Sequence, residues 1–177
     1  MLIIFIYIIF LAAMVAQLEL QIEGKKTGWA SKLSCWRIEN RITNLILGNK
    51  PLTGYHVWLL TTLLFAFHNI YLYVSFNLKT EMQCLGYFSW FLVIEDFMWF
   101  IENNYFGIRN FKKGRIFWHK RWFWGLPYTY WWGMIIGTLF LIGGMRWNFI
   151  IYISDINSKW YLIQLKLRKI INSSWNW

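Results

Sequence analysis

The chain has 177 residues, of which 58% are hydrophobic, 22% aromatic and only 15% charged. A soluble domain usually carries about 25% charged residues, and so apolar a composition also excludes disorder. Two cysteines exclude a disulfide scaffold, and two prolines with twelve glycines argue against a loop-rich all-β protein. The formal net charge of +10 admits nucleic acid as a partner until the cations are located.

Four apolar stretches fit the about 17–25 residues that a helix needs to cross a bilayer. They cover residues 1–18, 54–76, 82–103 and 128–144, and none alternates like a barrel strand. The expectation is an all-α membrane protein, one polytopic domain of four transmembrane helices joined by amphipathic interfacial segments. The first stretch lacks a basic n-region, so it reads as an uncleaved helix rather than a signal peptide.

Residues 19–51 form the first connection. Ile38, Ile42, Leu45 and Ile46 recur at helical spacing, which predicts a short amphipathic helix on the inner membrane surface, anchored by Trp29 and Trp36. Gly48-Asn49-Lys50-Pro51 supplies the turn that ends it. The connection at 104–127 interleaves cations with Phe106, Phe111, Trp118, Trp122 and Trp124, a mixture suited to the headgroup layer. In the tail, 147–177, Trp160, Ile163, Leu167 and Ile170 make an interfacial helical stripe, and Asn172-Ser173-Ser174 matches a glycosylation sequon.

Lysine and arginine set the orientation. The three connections hold six, one and six of them, which places the N-terminus outside and both basic loops in the cytoplasm. Cys35 and Cys84 then fall on opposite sides. Most of the positive charge is topogenic, and the expected partner is the lipid bilayer rather than nucleic acid.

Ionisable groups inside a span are costly and mark candidate sites. Glu95 and Asp96 lie inside the third stretch, with Trp99 and Glu102 on the face of Glu95 at helical spacing. The same membrane side receives His119, within Trp118-His119-Lys120-Arg121, and, as secondary candidates, Glu19, Glu23 and His56. This set suits general acid/base chemistry by Glu95, Asp96, His119 and Glu102. Lys112, Lys113, Arg115, Lys120 and Arg121 would hold an anionic headgroup. The competing reading pairs Glu95 or Asp96 with Arg109, Arg115 or a lysine, as a purely structural link. A metal site using carboxylates and histidine is the weaker second chemistry, since no HxxxH, ExxH or CxxC spacing is present; no metal ligand is assigned, and nothing identifies a cofactor.

The functional expectation is a small integral membrane protein that acts on, or binds, a lipid-like molecule at the cytoplasmic leaflet. The alternatives are a non-catalytic membrane subunit or assembly factor, and a component of a proton or ion pathway. Gly133 and Gly137, four residues apart, allow close helix contact, either within the chain or as the seam of a homo-oligomer or larger membrane complex.

Overall fold

Long apolar runs with few helix breakers make helix the default, and the computed structural model is mostly helical. It describes residues 2–145 together with 159–161 and 164. The sequon lies outside the described residues, as does all of the tail stripe except Trp160.

Helix α1 spans Leu2–Glu23 and continues past the expected end at residue 18. The reason is the direction of its last two acids. Glu19 and Glu23 are one turn apart on the inner face, both buried, and they continue the stripe of Ala12 and Ala16.

The first connection folds back on itself. Strand β1 (Arg37–Ile38) pairs antiparallel with β2 (Leu52–Thr53), with Arg37 opposite Thr53 and Ile38 opposite Leu52. Between them lies helix α2 (Arg41–Ile46), started by a reciprocal cap. Asn40 Oδ1 accepts from the N–H groups of Ile42 and Thr43, while Thr43 Oγ1 accepts from the Asn40 N–H. Ile42, Leu45 and Ile46 all face outward. Helix α3 (Gly54–Phe67) stops short of residue 76 and tightens into a 3-10 turn over His68–Leu72. That turn brings His68 and Tyr71 onto Glu81, at 3.2 and 2.9 Å, at the start of helix α4 (Leu78–Glu102). A second two-residue ladder, β3 (Trp122–Phe123) with β4 (Leu126–Pro127), leads into helix α5, residues 128–145. The all-helical expectation contained neither ladder.

Helix α1 packs along α4. One layer joins Ile8, Ala12 and Val15 to Tyr87, Phe91 and Leu141; the next joins Ala16 and Leu20 to Trp99, Phe100, Ile116 and Trp118. The fully covered alanines let the two backbones approach. Helix α5 meets α4 through glycines. A Cβ on Gly86 would lie 3.0 Å from the Gly137 carbonyl oxygen, and one on Gly137 would lie 3.1 Å from that of Gly86. Ser89 Oγ donates to the Gly133 carbonyl at 2.9 Å. Gly133 and Gly137 thus pack against α4 within the chain, the first of the two uses their spacing allows.

Two helices are long and apolar enough to cross a membrane: α1, with mean hydropathy 2.4, and α4, with 1.4. Helix α3 has 14 residues. At 1.5 Å per residue that is about 21 Å, short of an about 30 Å hydrocarbon core. Helix length and hydropathy together thus support two of the four expected spans among the described residues.

Candidate functional site

The C-terminal half of α1, the start of α3, the middle of α4 and the start of α5 converge on a cavity of about 230 Å³. Its polar lining comes from Glu19, Glu23, Lys50, His56, Glu95 and Asp96. Its apolar lining includes Leu59, Leu60, Leu63 and Leu92. Four carboxylates thus share one partly enclosed space with a single ammonium.

Local structure orients each group. Thr53 caps α3: its Oγ1 accepts from the His56 N–H at 3.3 Å and lies 2.6 Å from His56 Nδ1. The ring therefore has Nε2 free to face the cavity, where it lies 3.6 Å from Glu23 Oε1. Trp29 stacks on His56 with ring centroids 4.0 Å apart. The Ala30 N–H donates to Glu23 Oε1 at 2.7 Å, and Tyr55 Oη donates to Glu19 Oε1 at 3.5 Å. Glu95 is buried, and its Oε1 has no hydrogen-bond partner among the described residues.

Asp96 is held differently. Its Oδ2 lies 3.0 Å from His119 Nε2 and also accepts from Tyr130 Oη. His119 is buried and stands behind Asp96, outside the lining of the cavity. Among the described residues neither Arg109 nor Arg115 forms an ion pair with Glu95 or Asp96; the nearby cation is Lys50, whose charge acts on Asp96.

No protein family, no curated protein and no solved structure matches this chain. The site therefore has to be read from its own chemistry.

Lys50 is buried, with Nζ 3.9 Å from the centroid of the Trp29 ring. Burial lowers its pKa from the ordinary lysine value, while the charges of Asp96, Glu95, Glu19 and Glu23 oppose that shift. Burial also lowers the His119 pKa; the Lys50 charge adds to this and Asp96 opposes it.

The structure brings Glu95 and Asp96 together with the three secondary candidates, Glu19, Glu23 and His56. It leaves Glu102 out: that residue lies beside Gln17 and does not line the cavity. Lys112, Lys113, Arg115, Lys120 and Arg121 are exposed on the loop after α4 and do not line the cavity either. Lys50, Tyr55 and Tyr130 went unrecognised. Lys50 had been counted as a topogenic charge, and only its place in a turn before Pro51 set it apart. Trp29, expected as a membrane anchor, instead donates from Nε1 to the Pro51 carbonyl at 2.7 Å and forms part of the cavity wall.

Proposed function

We propose that the chain is a four-span membrane protein that performs general acid/base chemistry on an amphiphilic molecule, in a chamber toward the cytoplasmic leaflet. The observation that carries this reading is the contrast between adjacent carboxyls on one cavity. Asp96 is engaged by two donors, His119 and Tyr130, while Glu95 is buried, shares a side-chain hydrogen bond only with another acid, Glu19, and leaves its Oε1 without a partner among the described residues. Environments that differ so sharply keep one carboxylate ionised and leave its neighbour able to carry a proton. The leucines of α3 and α4 offer a tail-sized apolar wall beside this polar floor.

Membrane insertion is supported for α4 by its length and hydropathy, and for the other three helices by what they expose. Leu2, Ile3 and Phe10 on α1, Phe65 on α3 and Leu139 on α5 each keep at least 63% of their surface uncovered. Apolar patches of this extent are rare on soluble monomers. The exposed cations at 112–121 would draw anionic lipid to the loop, at about 1 kcal/mol each near the surface.

The test replaces Glu95 by Gln and Asp96 by Asn, separately, in cells that make the protein. Membrane lipids are then profiled by mass spectrometry. The expected result is a change in one class of amphiphile while the variants still purify as folded protein. Unchanged profiles with both variants folded would remove the enzyme reading. Altered proton flux in vesicles, with lipids unchanged, would favour the pathway alternative.

A further inference from the structure

We propose that Glu19, Glu23 and His56 form a binding site for a divalent transition-metal cation, in the cavity that Glu95 also lines. This rests on the chamber being the functional site and adds to it a ligand class that local spacing in the sequence does not suggest.

One ligand atom from each of Glu19, Glu23 and His56 lies within 4.8 Å of the others, and all three residues are buried. His56 Nε2 and Glu23 Oε1 are 3.6 Å apart. That is too long for a direct hydrogen bond, yet close to the about 3.4 Å edge of a tetrahedron whose corners lie about 2.1 Å from an ion.

The supports behind the ligands are those a metal site needs. A ligating histidine characteristically engages its second ring nitrogen elsewhere, and Thr53 takes Nδ1 at 2.6 Å. Trp29 fixes the ring plane by stacking, and the Ala30 N–H holds the Glu23 carboxylate.

An independent observation points to a missing ligand. Glu95 is 9% exposed, lines the same cavity as the three residues, is hydrogen-bonded to Glu19, and leaves Oε1 without a hydrogen-bond partner among the described residues. Charge points the same way. Glu19, Glu23 and Glu95 share the chamber with a single buried ammonium, Lys50, and buried carboxylates are strongly unfavourable as charges unless paired. A dication offsets that excess. Carboxylate oxygens with one imidazole and no thiolate suit zinc, manganese or ferrous iron better than a soft ion.

The test uses the full chain with a tag free of histidine, purified in detergent and washed with chelator. It is loaded with ZnCl₂ or MnCl₂, desalted, and assayed by elemental mass spectrometry. About one ion per chain is expected. Glu23→Gln and His56→Gln should each weaken binding by at least about tenfold. Thr53→Val should weaken it about 10–100-fold, while Thr53→Ser retains it.

Pulsed EPR of the manganese-loaded wild type needs no variant: it should show imidazole-nitrogen coupling that changes on ¹⁵N-histidine labelling. Folded wild type without stoichiometric zinc or manganese would overturn the proposal. So would equal retention by Glu23→Gln and His56→Gln, or a manganese spectrum without nitrogen coupling. The lipid profiles of the Glu95 and Asp96 variants are read separately. A chain that binds no metal but shows altered lipids keeps the acid/base reading and loses this one.

Discussion

His119 Nε2 sits 3.0 Å from Asp96 Oδ2, tying the loop after α4 back to the middle of that helix across 23 positions of sequence. Tyr130 of α5 donates to the same oxygen, so one carboxylate oxygen links three parts of the chain. Removing a donor leaves a largely buried acceptor short of a partner, which costs about 1–3 kcal/mol. His119→Ala and Tyr130→Phe should each lower the melting temperature in detergent. Because they share an acceptor, their effects should depart from additivity by more than about 0.5 kcal/mol. A His119→Ala chain that melts with the wild type would show that the pair contributes nothing to stability.

The same histidine predicts an acid sensitivity. Its pKa in the fold is lowered by burial, whereas the unfolded value is about 6.5. The unfolded chain therefore binds more protons in the window below that value. The contribution to stability is complete above about pH 6.5 and is lost as pH falls from there toward the folded pKa, at up to about 1.4 kcal/mol per pH unit. Melts between pH 7.5 and 5.5, about one unit either side of the unfolded value, should show a steeper loss in wild type than in His119→Gln. Glutamine keeps a donor for Asp96 but does not titrate. Parallel pH profiles would assign the sensitivity elsewhere.

The α4–α5 contact should tolerate no added volume. A Cβ at Gly137 meets Trp90 Cδ1 at 2.8 Å and the Gly86 carbonyl oxygen at 3.1 Å, and backbone cannot step aside as a side chain can. Gly137→Val is expected to cost about 1–3 kcal/mol through overpacking. Leu139→Val, on the exposed face of the same helix, should change little. Thermal melts of the two variants side by side test this, and equal melting temperatures would contradict it.

Much of the site could be read from residue types, and the remainder depended on long-range packing. Glu95 and Asp96 stand out because charge inside an apolar run is rare, and they do line the cavity. Glu19 and Glu23 are legible as candidates on the same membrane side, one turn apart, but not as inward-facing groups. Whether a helix stops there or turns its acids inward depends on what α3 and α4 place opposite. Lys50 shows the same limit more sharply: its burial against Trp29 is set by the β1–β2 ladder, whose two-residue strands are too short for any periodicity to announce. The basic loop was misleading in the other direction. Lys112, Lys113, Arg115, Lys120 and Arg121 form a dense positive string, yet all point outward, and only His119 among them turns in. Helix existence was legible from apolar length. The early end of α3 was not, because His68, Tyr71 and Glu81 settle it by hydrogen bonds between two elements.

The four-span reading makes a prediction about sidedness that helix length alone does not. With both basic loops in the cytoplasm, the short connection between α3 and α4 lies outside. Ser75 is exposed in that connection, and Lys113 is exposed in the loop after α4. The native thiols, Cys35 and Cys84, are free and half-buried, and are first replaced by serine to give a silent background. In intact cells a membrane-impermeant maleimide should then label Ser75→Cys, while Lys113→Cys reacts only after permeabilisation. The reverse pattern would invert the protein and move the carboxylate chamber to the outer leaflet. Labelling of both sites in intact cells would mean that the segment between them, with Glu95 and Asp96 at its centre, does not cross the bilayer. The apolar face of α4 would then have to be covered by protein rather than lipid.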